Sequence, residues 1–356
     1  MKITLDRTSF LNELLFVDNL IVNKTVNEQY GLVHVFNKDG KMKLLSTNNG
    51  LAYSESVITT DIVDEVSFSL TPNKLITVLR SFASPQFNLT VSAGKVIASS
   101  GKSKYTFKTQ NAVDIFVEPE GVSSLSDCNY LLFKKAVDIA NDFTRASNSS
   151  AYTLTMFEMS LTPTHIQTRA TDGNKMVHSS FEDVKDDRNM TVNIDRDYVY
   201  VLDGLNQSER MKIHKYQNST VFTSGDRRVK IMSKVGNLPD TNAVMNKCMV
   251  ANEKFHIIEK DALMEPVKLL NSILDAKIKK MTLHFQDGSI KISSEDHEQE
   301  IPSKGTDTGK FTLNGQHLID ILKNGDKELK FNFSQTTDFA VYVTDKNSKF
   351  LVGKTA

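Results

Sequence analysis

The chain has 356 residues, 39% of them hydrophobic and 24% charged, with 43 basic against 43 acidic side chains. That length suits two or three domains of about 100–150 residues each. No window is apolar enough to span a bilayer, and zero net charge argues against gripping nucleic acid by bulk electrostatics, while leaving local charge segregation open.

The opening stretch, Met1-Lys2-Ile3-Thr4-Leu5-Asp6-Arg7, alternates like a strand and lacks the long apolar core of a signal peptide, which predicts an intracellular protein. An amphipathic helix follows, with Phe10, Leu14 and Val17 on one stripe. A short helix is expected at 75–79, where Thr71 can cap free N–H groups and Pro72 suits a first turn. Then come alternating strands carrying Phe87, Leu89 and Val91, and Tyr105 and Phe107, each set facing one core. Glu118-Pro119-Glu120-Gly121 breaks the periodicity.

The same order recurs. Phe133, Val137 and Ala140 mark a second amphipathic helix, Asp195 precedes a short helix at 198–202, and Met211/Ile213 and Val229/Ile231 mark strands. After the break at Asn237-Leu238-Pro239-Asp240, Leu263, Val267, Leu270 and Leu274 form a third stripe. Pro266 lies inside it, which predicts a late start or a kink. Asn314 precedes a short helix at 318–322, followed by Leu329/Phe331/Phe333 and Phe339/Val341/Val343. The three short helices begin 123 and 120 residues apart (198 − 75 and 318 − 198), too long a period for a solenoid. Three α+β domains are therefore expected, at 1–120, 121–246 and 247–356, each with two helices packed on antiparallel sheet.

Four segments, in order, carry a family resemblance over nearly the whole chain. Ser100-Gly101-Lys102-Ser103-Lys104-Tyr105-Thr106-Phe107 is similar to the basic strand closing the first domain of the beta sliding clamps of bacterial DNA polymerase III. Ala170-Thr171-Asp172-Gly173-Asn174-Lys175-Met176 resembles that family's ATDGHR loop, and Val235-Gly236-Asn237-Leu238-Pro239-Asp240 its DGKFPDY segment. The run from Glu295 to Glu300 resembles an acidic stretch of its third domain. Alone, Asp172-Gly173 is a hairpin turn, Lys102 and Lys104 a solvated strand edge, and the acidic run an exposed loop. Their weight comes from order, spacing and the threefold repeat.

The resemblance implies a non-catalytic processivity factor: a head-to-tail homodimeric ring that encircles double-stranded DNA without reading sequence, in the cytoplasm. It implies that the DNA polymerase and clamp loader dock through short motifs rich in glutamine and leucine, and it implies no cofactor, metal or membrane. Lys24 and Asn148 match DNA-touching positions of the family, and Arg80, Lys134, Arg145, Arg196 and Lys268 are the helix-associated cations expected to face DNA, with Asp138 and Asp142 placed to neutralise some of them. By the same resemblance, Leu154, Thr171, Gly173, Asn174, Lys175, Met176, Pro239, Val244 and Leu351 form the partner-peptide pocket. Lys74, Lys102 and Lys104 would face Glu295, Glu298 and Glu300 of a second copy, with Ile273 and Leu274 as apolar anchor. Two departures stand out: Asn174-Lys175 replaces the usual His-Arg, and Gly353-Lys354-Thr355-Ala356 replaces a terminal Met-Pro-Met-Arg run, so a non-standard client motif is expected.

An enzyme needs a constellation, and the residues offer none. Gly353-Lys354-Thr355 has Ser348 where a phosphate loop has its first glycine. The eight histidines show no HExxH or close paired spacing, Cys128 and Cys248 lie far apart outside any CxxC, and Glu182-Asp183 and Asp186-Asp187 read as solvated loop. The competing readings are a clamp-like ring adaptor that recruits replication proteins without sliding on DNA and, third, a nucleic-acid enzyme.

Overall fold

The alternating runs pair as antiparallel strands, and the apolar stripes become helices laid on them. The structure, a computed structural model, describes residues 1–22, 26–121, 124–146, 151–185, 188–234, 236–251, 254–274, 279–333 and 340–353. Two compact units result, Met1–Leu131 with Tyr198–Ser233, and Leu132–Asp197 with Lys234–Ala356, so the middle sequence repeat is divided between them.

In the first unit, one sheet runs in the order Lys2–Asp6, Gln86–Ser92, Lys95–Ser100, Ser103–Lys108. An eight-stranded sheet runs Val66–Leu70, Val33–Lys38, Lys41–Asn48, Ala52–Thr59, Arg227–Met232, Ser219–Ser224, Arg210–Lys215, Ser124–Asn129. The junction within it is the antiparallel pair Ala52–Thr59 and Arg227–Met232, which joins strands of two repeats. Helix α1 (Arg7–Asp18) buries Phe10, Leu14, Phe16 and Val17 and is capped by the Asp6 carboxylate, which accepts from Ser9 N at 2.7 Å. Its Glu13 takes both Nε–H and Nη2–H of Arg227, at 2.8 and 2.9 Å, and the Ser56 hydroxyl at 2.5 Å. Helix α2 (Pro72–Ser81) has proline in its first turn, but Thr71 makes no side-chain cap bond, contrary to expectation.

The second unit repeats the plan. Its eight-stranded sheet runs Met190–Asp195, Met156–Leu161, His165–Thr171, Lys175–Glu182, Ser348–Gly353, Ala340–Thr344, Glu328–Phe333, Lys254–Glu259. Its smaller sheet runs His297–Pro302, Ser289–Ser294, Lys280–Gln286, Gly309–Asn314. The core is aromatic: Phe285 stacks on Phe333 at 4.5 Å and Phe311 meets Phe333 edge-on at 5.2 Å. Helix α3 (Tyr130–Asp142) buries Phe133, Val137 and Ala140 completely.

Other expectations are met in part and corrected in part. The short helix at 198–202 is a single 3-10 turn, Arg196–Tyr198, leading into the four-residue α4 (Val199–Leu202), with Asp195 accepting from Asp197 N at 3.1 Å. A helix absent from the sequence reading, α5 (Thr241–Ala251), spans the second expected boundary. Helix α6 (Lys260–Ile273) does not start late but begins before Pro266 and continues past it; the proline leaves one carbonyl of the preceding turn without its helical donor. Helix α7 (Gly315–Asn324) has the expected cap, Asn314 accepting from Gln316 N at 2.9 Å. Tyr105 is 42% exposed because its strand, Ser103–Lys108, is a sheet edge with almost no buried face. Phe339 lies outside the described residues, whereas Val341 and Val343 are fully buried.

Candidate functional site

The 171–176 turn is built by its own side chains. The Asp172 carboxylate accepts from the N–H groups of Asn174 (2.8 Å) and Lys175 (2.9 Å). The Thr171 hydroxyl accepts from Gly173 N at 3.1 Å and donates to Lys175 O at 2.8 Å. Gly173 sits at φ +94°, and a Cβ there would lie 3.1 Å from Arg145 Nη2 and 3.6 Å from Leu154 Cδ1. The position therefore favours glycine for its backbone, and a side chain there would also press on the Arg145 guanidinium.

Below the turn, Lys175 points inward. Its ammonium donates to Asp142 O at 2.6 Å, pairs with the Asp320 carboxylate of α7 and lies 4.9 Å over the Phe143 ring. The next residue, Met176, faces Leu351 across the strand pair. These two and Met245 form one buried cluster, with Cys248 packed against it. The result is a groove of about 380 Å³ lined by Thr171, Gly173, Asn174, Lys175 and Met176 on one side, Val244, Lys247 and Cys248 of α5 on another, and Leu351 and Gly353. Three sulfur-bearing side chains in or under its floor make that floor soft and adaptable.

Helix α5 is positioned by polar contacts at its start. Asp240 accepts from Ala243 N at 3.1 Å, and His178 Nε2 meets the Thr241 hydroxyl at 2.9 Å. Burial, with Arg169 and Lys349 nearby, pushes His178 down to about 4, so the ring is neutral at pH 7. Burial also pushes the Cys248 thiol up.

Seven of the nine expected pocket residues thus line one groove. Leu154 borders Gly173 from behind without lining the groove. Pro239 is exposed and outside it, its carbonyl accepting from Thr241 N at 2.7 Å where α5 begins. Sequence reasoning missed Lys247, Cys248 and Gly353; the i, i+3 spacing of Met245 and Cys248 was the available signal.

The expected DNA-facing residues divide. Lys24 and Asn148 lie outside the described residues. Arg80 and Lys268 are exposed on α2 and α6. Lys134 pairs with Asp138 one turn along α3, the neutralisation anticipated from the sequence. Arg145 and Arg196 turn onto main-chain carbonyls, Asp172 O at 2.9 Å and Thr144 O at 2.6 Å.

Three of the expected contact residues, Lys104, Glu298 and Glu300, lie on sheet edges. Lys74, Lys102 and Lys104 are exposed, the last on the edge strand Ser103–Lys108. Glu295, Glu298 and Glu300 are exposed, the latter two on the edge strand His297–Pro302, where Glu298 pairs with Lys291 at 2.7 Å and Glu300 accepts from Ser289 at 2.6 Å. The apolar pair separates: Ile273 is 45% exposed, but Leu274 is only 4% exposed and belongs to its own core. Leu274 continues the buried 263/267/270 stripe, so it cannot also face a partner. Leu269, one turn before Ile273 and likewise exposed, takes its place on the outer face.

Among the described residues no group of His, Cys, Asp and Glu is placed to hold a metal ion, and no helix is long and apolar enough to cross a membrane.

No protein-family model matches the sequence, and no curated protein sequence matches it. Solved structures do. The DNA polymerase III subunit beta of Pseudomonas aeruginosa superposes with a TM-score of 0.91 over 100% of both chains at 18% identity. The polymerase III beta of Caulobacter crescentus gives 0.88 over 100% of both at 15% identity, and the DnaN sliding clamp of Bartonella birtlesii 0.88 over 100% of this chain and 99% of that one at 16% identity. At such identities the likeness speaks for the fold, and it does so from end to end: the chain has the fold of the bacterial DNA polymerase III beta sliding clamps.

Proposed function

We propose that the chain is a DNA polymerase sliding clamp, a non-catalytic processivity factor working in the cytoplasm. The observation that carries this reading is the end-to-end match to beta clamps with no segment left over on either chain. Three repeated domains, 1–120, 121–246 and 247–356, would make up each protomer, and two protomers a closed ring.

Head-to-tail pairing is supported by the two edge strands. Ser103–Lys108 carries Lys104 beside Lys102, and His297–Pro302 carries Glu298 and Glu300; both offer unpaired main-chain groups and opposite charge. Joining one protomer's basic edge to its partner's acidic edge would close the ring and leave neither open. Exposed ion pairs contribute about 0–1 kcal/mol each, so Ile273 with Leu269 would supply the stronger contact.

The 380 Å³ groove would receive the client peptide. Its floor of Met176, Leu351 and Cys248 suits an apolar or aromatic side chain, and the main-chain groups of the Gly173 turn suit the peptide backbone. Duplex DNA would pass against the helices, held through phosphates by Arg80, Lys134, Lys268 and their neighbours without base contacts. Light scattering of the purified protein tests the assembly: twice the chain mass supports the ring, and a monomer at micromolar concentration rejects it.

A further inference from the structure

A second cavity, about 510 Å³ and far more polar than the groove, lies on the other flank of α5. Cross-strand pairing sets its floor. Glu158 stands opposite Arg169, Arg169 opposite His178 and His178 opposite Lys349, so one row of charged and ring side chains crosses four adjacent strands. Beside it runs a row of neutral polar groups, Ser160, Gln167 and Ser180. Two residues the other way along the same face come Met176 and Leu351, the floor of the groove. Helix α5 lies across these rows. Val244, Lys247 and Cys248 wall the groove, whereas Asn242 walls the cavity and Met249 reaches Lys349, with Sδ and Nζ 4.0 Å apart.

Positive charge is in excess here. Glu158 is engaged by Arg169, whose Nε donates to it at 3.0 Å, and Asp345 accepts from the main-chain N–H groups of Asp326, Asn347 and Ser348 at 3.0, 2.8 and 2.5 Å. Lys346 and Lys349 are exposed and form no ion pair among the described residues. Lys346 also borders Glu259 and Glu328, so Lys349 is the stronger attractor of the two. Strand alternation turns the charged row away from α3: the intervening Thr168 is buried on the opposite face, its hydroxyl donating to Ala136 O at 3.4 Å. An anion held here therefore sits on the sheet face that carries the groove, not on the face that α3 covers.

We infer that this cavity takes the acidic segment of a partner peptide, with carboxylates on Lys349, Lys346 and Arg169 and the neutral row supplying further hydrogen bonds. The groove and the cavity are separated by the width of one helix, about 10 Å. An extended peptide crosses that distance in about three to five residues, at about 3.3 Å each. A client seated in the groove by an apolar side chain therefore carries its acidic residues about three to five positions away. That both segments belong to one client rests on the clamp reading; the affinity of the cavity for a carboxylate-rich peptide does not.

Met249, beside Lys349, and Met176, in the groove floor, report on the two spaces separately. In protein carrying ¹³C-methyl methionine, their signals are followed while a blocked tetraglutamate peptide is added at constant low ionic strength. Tetraglutamine, inorganic phosphate and a short blunt duplex are added in parallel titrations. A saturable shift of Met249 with tetraglutamate, leaving Met176 unmoved, supports the inference. The affinity should fall about tenfold in K346Q/K349Q, the loss of two exposed ion contacts. No saturable shift, an equal shift with tetraglutamine, phosphate or duplex, or an unchanged response in the double variant overturns it. Both lysines are exposed, so their replacement leaves the fold in place. A Leu-Phe peptide without glutamates tests the groove alone: if it leaves Met176 unmoved while tetraglutamate still moves Met249, the client reading of the groove fails and the acidic-peptide site stands.

Discussion

Replacing Lys175 by methionine isolates the ion pair beneath the groove. The Lys175 side chain is 7% exposed and that of Asp320 16%. The substitution keeps the apolar stem but removes the charge, leaving Asp320 with Gln316 Nε2 at 3.1 Å as its remaining side-chain donor. Stranding one member of a buried pair costs about 3–5 kcal/mol; the residual exposure and the Gln316 bond put K175M at the low end, about 3 kcal/mol. D320L strands the ammonium instead, but Asp142 O at 2.6 Å and the Phe143 ring remain, so about 2 kcal/mol is expected. The double variant leaves no uncompensated charge and should lie within about 1 kcal/mol of wild type, a coupling of about 4 kcal/mol. Urea unfolding followed by far-ultraviolet circular dichroism measures all four proteins, there being no tryptophan to report. Additive single effects would refute the account of the turn as pinned by this pair.

Three further outcomes follow from the same geometry. L269D/I273D should convert a dimer to monomers by light scattering, whereas L274D should unfold the chain locally, because only the first two side chains face outward. M176D should weaken a labelled polymerase C-terminal peptide by at least about 30-fold, the loss of about 2 kcal/mol that a hot-spot position carries; equal binding to both proteins moves the client site elsewhere. His178 has its folded pKa depressed from 6.5 to about 4, so the folded state binds the proton less readily than the unfolded state. Its contribution, about 3 kcal/mol, is complete above pH 6.5 and lost as pH falls toward 4. H178Q should flatten that part of the stability profile, and an unchanged profile would contradict the assignment.

Much of this was legible in the sequence because the repeated units follow simple periods. The stripe Leu263/Val267/Leu270/Leu274 marked a buried helix face, and the structure keeps Leu274 there; assigning the same residue to a partner surface set resemblance against periodicity, and periodicity decided. The 171–176 turn was legible because Thr171, Asp172 and Gly173 each act locally. Helix α5 was not: its residues serve a groove wall on one side and solvent on the other, so no single stripe dominates. The inward course of Lys175 was also hidden, since Asp142 and Asp320 lie 33 and 145 residues away in sequence. Tyr105 misled because alternation implies a buried face only for a strand covered on one side.

Topology is the central claim, and retention on DNA tests it most directly. Protein loaded on a singly nicked plasmid circle is isolated by gel filtration, then followed after the plasmid is linearised. The sliding-clamp account expects stable association with the circle and loss within minutes of linearisation, with little affinity for short open duplex. Protein that stays on linear DNA, or binds a short duplex tightly at one sequence, contradicts it.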